Sequence, residues 1–220
     1  TNEMNIAAFR APLDVPQSIE FVRESAHGLK ESAIELMVGA NMGGFNKLAE
    51  QMYSDLYAPT PDSGAGTPIA WDYVGADGYF GTWEPGGPHT WHVVLDKLTE
   101  ISPLPVIAME WGYSSAGEIM APEDVVEGNT DPHDERKWCY GWDRGGVLRP
   151  HTAEMQARYI EETVKILRER TIGSIYYCMR DAKTCSCGSD ECPVESNWGL
   201  LNSRGETKPS YFSLRRMIHS

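Results

Sequence analysis

PVIAMEWGYSS, residues 105–115, decides how the chain is read. Val106 to Met109 form an unbroken apolar run that leads straight into Glu110, and Trp111 and Gly112 follow. An unbroken run, rather than an alternating one, marks a strand buried on both faces, as in a parallel sheet covered by helices. Outward in both directions the same unit recurs. Upstream, IELMVGA (34–40) reads as a strand ending in Asn41 and glycines, followed by a helix with Phe45, Leu48, Ala49, Met52 and Leu56 on one face. DYVGADGYF (72–80) is the next strand, and Trp91, Val94, Leu95 and Leu98 give the next helix its apolar face. Downstream, a polar loop runs to Pro150, and PHTAEMQARYIEETVKILRER (150–170) turns Ile160, Thr163, Val164 and Leu167 inward. GSIYYCM (173–179) is the last strand and KPSYFSLRRMI (208–218) the closing helix. Ahead of all these, residues 16–30 place Ile19, Val22, Ala26 and Leu29 at helical spacing after Asp14, a capping residue. Strands alternating with helices indicate an α/β fold, in which ligands sit at the carboxyl ends of the strands.

Composition narrows the partners. Against 32 Asp and Glu stand 19 Lys and Arg, a formal net charge of -13 that repels phosphate backbones and anionic lipid heads. No apolar run approaches the roughly 18 residues of a membrane span. The expectation is a globular protein with neither nucleic acid nor membrane as partner. Its 220 residues are read as a single domain, 1–220.

Two carboxylates stand at strand ends. Glu110 closes PVIAME, and Glu3 in TNEMN is expected to close a strand cut short by the amino terminus. A carboxylate leaving an apolar strand needs a reason, and a solvated strand-end glutamate is the plainer one for either residue alone. Together, however, the strand ends resemble those of the clan A glycoside hydrolases, retaining enzymes built on the TIM (β/α)8 barrel. The resemblance runs from Asn2 to the last helix. In that clan an Asn-Glu pair ends the fourth strand, and Asn2-Glu3 is similar. A second Glu ends the seventh, as Glu110 does in PVIAMEWGYSS. A Tyr after the sixth holds the nucleophile by a hydrogen bond, and Tyr79 in DYVGADGYFGTW stands in that place. NWGLLNSRGETKPSYFSLRR resembles the segment that closes the barrel.

The resemblance implies a double displacement. Glu110 would attack the anomeric carbon and Glu3 would protonate the leaving oxygen, the two carboxyls standing about 5 to 5.5 Å apart. Asn2 would hydrogen-bond the sugar 2-hydroxyl. No cofactor is required. The chain departs from the family at Met4, where a Pro is common, at Asp77-Gly78, where a His often precedes the Tyr, and at Met179-Arg180, where a Trp floors the sugar site. Trp111 and Trp198 are the nearest replacements for that floor, with Trp83 further out, since a large π face stacks well on a sugar. A full barrel needs about 250 residues and eight strands. Four complete units are counted, so the chain is expected to be the carboxyl-terminal half to two-thirds of a barrel. Its open strand edges would meet a missing amino-terminal barrel segment or an oligomer partner.

Other constellations bear less on the reaction. Cys185, Cys187 and Cys192 cluster in TCSCGSDECP, with Cys178 close before them and Cys139 far upstream. Disulfides that include Cys139, free thiols, and a zinc site on the three loop cysteines all remain open from spacing alone. The disulfide reading suits an extracellular or secreted hydrolase. The six histidines lack metal spacing and are read as structural or solvated. Arg180 and Asp181 are read as lining the sugar site or as pairing with each other. Trp138, Tyr140 and Trp142 in the loop from Gly117 to Gly146 are read as a sugar-binding wall or as packing over the rim. The substrate expected is a neutral β-linked poly- or oligosaccharide. A non-catalytic carbohydrate-binding half-barrel is the alternative, and fold alone does not choose between them.

Overall fold

Asp14 opens the first long helix as its residue type predicts. In the computed structural model, which describes residues 2–33, 35–57, 71–119, 138–143, 145–185 and 193–220, its carboxylate accepts a hydrogen bond from the Gln17 amide at 2.9 Å. The Gln17 side chain accepts from the Asp14 amide at 3.0 Å, completing a capping box. The element order is α1 (Ala7–Arg10), α2 (Val15–Ser32), α3 (Lys47–Tyr57), β1 (Val74–Gly78), α4 (Thr90–Ile101) and β2 (Val106–Trp111). The short strands β3 (Glu118–Ile119), β4 (Trp138–Cys139), β5 (Trp142–Asp143) and β6 (Leu148–Arg149) follow. Then come α5 (Ala153–Arg170), β7 (Gly173–Tyr176), α6 (Pro193–Ser196) and α7 (Pro209–His219). Among the described residues the main sheet has three parallel strands in the order β1-β2-β7.

The chain divides into two compact units. The first holds residues 1–78, 93–109 and 170–174, and the second residues 79–92, 110–169 and 175–220. In the first, Ile19, Val22 and Ala26 of α2, Met52 and Leu56 of α3, Leu95 and Leu98 of α4 and Ala108 of β2 are buried. The helical periodicities foretold the helix residues among these, but Leu29 lies exposed, Leu48 is half-buried, and Phe45 precedes α3. In the second, α5 buries Tyr159, Ile160, Thr163, Val164 and Leu167. Tyr113 stacks between His151, at 4.2 Å, and Tyr159, at 4.7 Å.

Two expected strands take a different form. Residues 38–42 run beside β1 without being a strand, and two tyrosines of α3 are the reason. Gly75 N donates to Ala40 O at 2.9 Å and Asp77 N to Met42 O at 3.3 Å, which is half of a ladder. The other half is rerouted. Met42 N donates to the Tyr53 hydroxyl at 2.9 Å, and that hydroxyl donates to Gly75 O at 2.8 Å. Ala40 N likewise donates to the Tyr57 hydroxyl at 2.8 Å, and that hydroxyl lies 3.1 Å from Tyr73 O. Phenol oxygens thus bridge groups that would otherwise pair directly. Burial pushes both phenols well above their ordinary pKa, so they stay protonated and able to donate. The second correction concerns Glu3. Residues 2–3 belong to no strand, and Glu3 has a φ of 48°, in the left-handed region, at the start of a turn.

Candidate active site

β2 delivers Glu110, and the residue that follows β1 meets it. The Tyr79 hydroxyl donates to Glu110 Oε2 at 2.7 Å. Tyr79 is held by the turn it begins, whose Thr82 and Trp83 amides donate to Tyr79 O at 2.9 and 3.0 Å. Its ring meets Trp198 at 4.9 Å and Tyr177 at 6.1 Å, both edge-on. Trp83 lies 6.3 Å from Trp198, and Cys139 and Val194 complete the buried base of the cluster. The sequence admits this crowding at Gly112, where a Cβ would stand 2.5 Å from Tyr177 O. Tyr177 N closes the corner by donating to Trp111 O at 2.8 Å. Burial, then the neighbouring Cys178, Glu195 and Glu110, raises the Tyr177 phenol above its ordinary range, so it too remains a donor.

Several predicted site residues lie elsewhere. Trp111 is 1% exposed and packs edge-on against Tyr176 at 5.1 Å, so it offers no ring face to a ligand. Successive strand residues point to opposite faces, and Trp111 therefore turns away from the face that carries Glu110. Trp198 is 2% exposed beneath Tyr79, Tyr177 and Trp83. The open aromatic at the end of β7 is Tyr177, 42% exposed, which sequence reasoning missed. Alternation sets Tyr176 and Tyr177 on opposite faces, but the sequence does not say which of the two stays open. Trp142 is fully buried against Tyr159, while the side chain of Trp138 lies outside the described residues. Asp181 does not pair with Arg180. It receives Lys208 Nζ at 3.0 and 3.1 Å in a buried ion pair. Cys139 is a free thiol, so the bridge expected of it is not formed. Cys187 and Cys192 lie outside the described residues, and the zinc alternative with them.

In the first unit, Glu3 is buried within a braced turn. Asn5 Nδ2 donates to Gly43 O and Asn5 Oδ1 accepts from Gly43 N, both at 2.8 Å. Arg10 donates to Asn5 O at 2.9 Å. A Cβ at residue 43 would stand 2.7 Å from Glu3 Oε1, so a side chain there would displace that carboxylate. Asn2 is exposed beside it. Asn2 Oδ1 accepts from Asn41 Nδ2 at 2.7 Å, and Asn41 Nδ2 also donates to the Asp77 carboxylate.

No protein-family model and no curated protein sequence matches the chain. Solved structures do. A monomeric β-xylosidase from Caulobacter crescentus matches 99% of this chain with 40% of its own, at 19% identity and a TM-score of 0.59. A β-glucuronidase from Bacteroides uniformis matches 94% with 21% of its own, at 18% identity and a TM-score of 0.59. A thermostable mutant of a xylanase from Cellvibrio japonicus matches 91% with 55% of its own, at 14% identity and a TM-score of 0.59. The fold is that of glycoside hydrolases. The chain spans from about a fifth to just over half the length of these three. Glu110 and its Tyr79 partner stand at strand ends of that fold, where an α/β sheet places its ligands.

Proposed function

We propose that the chain carries the catalytic residues of a retaining β-glycoside hydrolase. The observation that supports it best is the 2.7 Å hydrogen bond from Tyr79 to Glu110 at the end of β2 in a glycosidase fold. Glu110 is the nucleophile and Tyr79 orients its carboxylate, leaving the other oxygen to attack the anomeric carbon. Glu3 is the acid and then the base, and Asn2 binds the 2-hydroxyl. Tyr177 and Trp83 offer ring surface to the sugar. The substrate is a neutral β-linked poly- or oligosaccharide, because an excess of 13 negative charges disfavours an acidic polymer. A polymeric substrate places the enzyme outside the cell. We further propose that residues 1–220 are the carboxyl-terminal part of one (β/α)8 barrel. Ile175 and Met179 lie exposed in and just beyond β7, the edge strand of the sheet, which suits an edge that further strands cover.

The test is a 2-deoxy-2-fluoro glycoside with a good leaving group, offered to the full-length gene product. Mass spectrometry of the digest should find the sugar on Glu110, and NMR of the first product should show the β anomer. Binding of oligosaccharide without labelling would favour a carbohydrate-binding module. Glu110→Ala should abolish turnover and leave the fold intact, with added azide restoring part of the rate as a glycosyl azide of inverted configuration.

A further inference from the structure

The polarity of Asn2 is set from behind. Asp77 is 1% exposed at the end of β1, and Asn41 is buried next to it. Asn41 Nδ2 donates to the Asp77 carboxylate, so the face of the Asn41 amide turned to Asp77 is its NH2. The second hydrogen of that NH2 points to Asn2, 2.7 Å away, and obliges Asn2 to present its oxygen. Asn2 Nδ2 is then turned outward as a donor. Flipping Asn41 would set its oxygen against the Asp77 carboxylate, and flipping Asn2 would set its NH2 against that of Asn41.

We propose that Asp77 and Asn41 are positioning residues for Asn2: a charge-polarised relay that makes Asn2 donate to, rather than accept from, the substrate hydroxyl. The proposal rests on the glycosidase reading above. The relay explains Asp77-Gly78 and the Asn41 that ends the apolar run 34–40, neither of which the reaction otherwise uses. Asp77 touches no substrate and acts through two amides.

The test compares a β-glycoside with its 2-deoxy analogue on the full-length gene product. Each variant's ratio of kcat/KM between the two reports the hydrogen bond to the 2-hydroxyl alone. Asp77→Asn, which keeps the shape and removes the charge, should lower that ratio by about tenfold, the worth of one well-placed hydrogen bond. Asn41→Ser keeps a donor next to Asp77 but falls short of Asn2, and it should do the same if Asp77→Asn does not fold. In an Asn2→Ala background, Asn41→Ser should lower the ratio no further. A ratio within twofold of wild type in both variants, with both rates reduced alike, would overturn the relay while leaving the glycosidase reading in place. An undiminished effect in the Asn2→Ala background would overturn it as well. Absence of wild-type turnover on every β-glycoside would overturn the glycosidase reading itself, and the relay with it.

Discussion

At the scale of single residues, the hydroxyl of Tyr79 is the most exacting part of the site. It holds one oxygen of Glu110 at 2.7 Å, and phenylalanine keeps the ring contacts to Trp198 while deleting that bond. Tyr79→Phe should therefore lower kcat by about ten- to a hundredfold, the range for a hydrogen bond to a charged group. Thermal unfolding should remain within a few degrees of wild type, and an unchanged kcat would remove Tyr79 from the mechanism. Gly112 is equally exacting for a steric reason, since any side chain there meets Tyr177 O. Glu110 and Tyr79 were legible as polar residues leaving apolar strands. Tyr177 was not, because a strand-end sequence such as YYCM does not say which of two adjacent tyrosines faces a neighbouring helix. Packing against Trp111 claims Tyr176 and leaves Tyr177 at the surface.

At the scale of elements, the segment beside β1 shows side chains doing the work of a ladder. Tyr53→Phe would leave Met42 N–H and Gly75 C=O without the hydroxyl that joins them. Two buried groups unpaired at once should cost roughly 2 to 4 kcal/mol. Urea denaturation reads this as a lower midpoint at unchanged slope, and a loss below half a kcal/mol would show that residues 38–42 and β1 re-pair directly. The Lys208–Asp181 pair fastens the start of α7 in the same manner. Lys208 Nζ also donates to Ser115 Oγ at 2.7 Å, so the ammonium is well satisfied although burial pushes its pKa down. Lys208→Met should cost about 3 to 5 kcal/mol by stranding a buried carboxylate, and adding Asp181→Leu should recover most of it. Hydrophobic spacing foretold α2, α3, α4, α5 and α7. It could not foretell the tyrosine bridges, which depend on where α3 lies against β1.

At the scale of the whole molecule, the displaced groups that titrate at or below neutral pH make acid a destabilising direction. Burial holds His151 below its ordinary 6.5, although the carbonyls of Tyr140, Ser114 and Gly81 pull the other way. The unfolded chain takes up that proton more readily, so this contribution is complete above 6.5 and is lost as pH falls through the lower folded value. The Ser213 hydroxyl and Arg216 hold Glu161 below its ordinary 4.5, and Lys30 and the Val38 amide hold Asp72 below 3.8. Their contributions stand above those values and are lost at still lower pH. The melting temperature should therefore begin to fall as pH drops below about 6.5 and fall faster below about 4. His151→Asn should flatten the first stage and spare the second, and a flat profile from neutral pH down to about 4 would contradict the assignment.

What the sequence determined by itself was the alternation of strand and helix, the faces those helices bury, and Glu110 as a carboxylate at a strand end. Each follows from local periodicity or from the cost of placing charge beside an apolar run, and both are readable one element at a time. Tertiary structure alone decided which aromatic stays open at the end of β7 and that the hydroxyls of α3 complete the pairing of β1. It alone decided that Lys208 rather than Arg180 answers Asp181, and that a buried carboxylate two residues before Tyr79 orients Asn2 through Asn41. Those outcomes join residues at least 11 positions apart. They turn on a few tenths of an ångström in reach, which no pattern along the chain records.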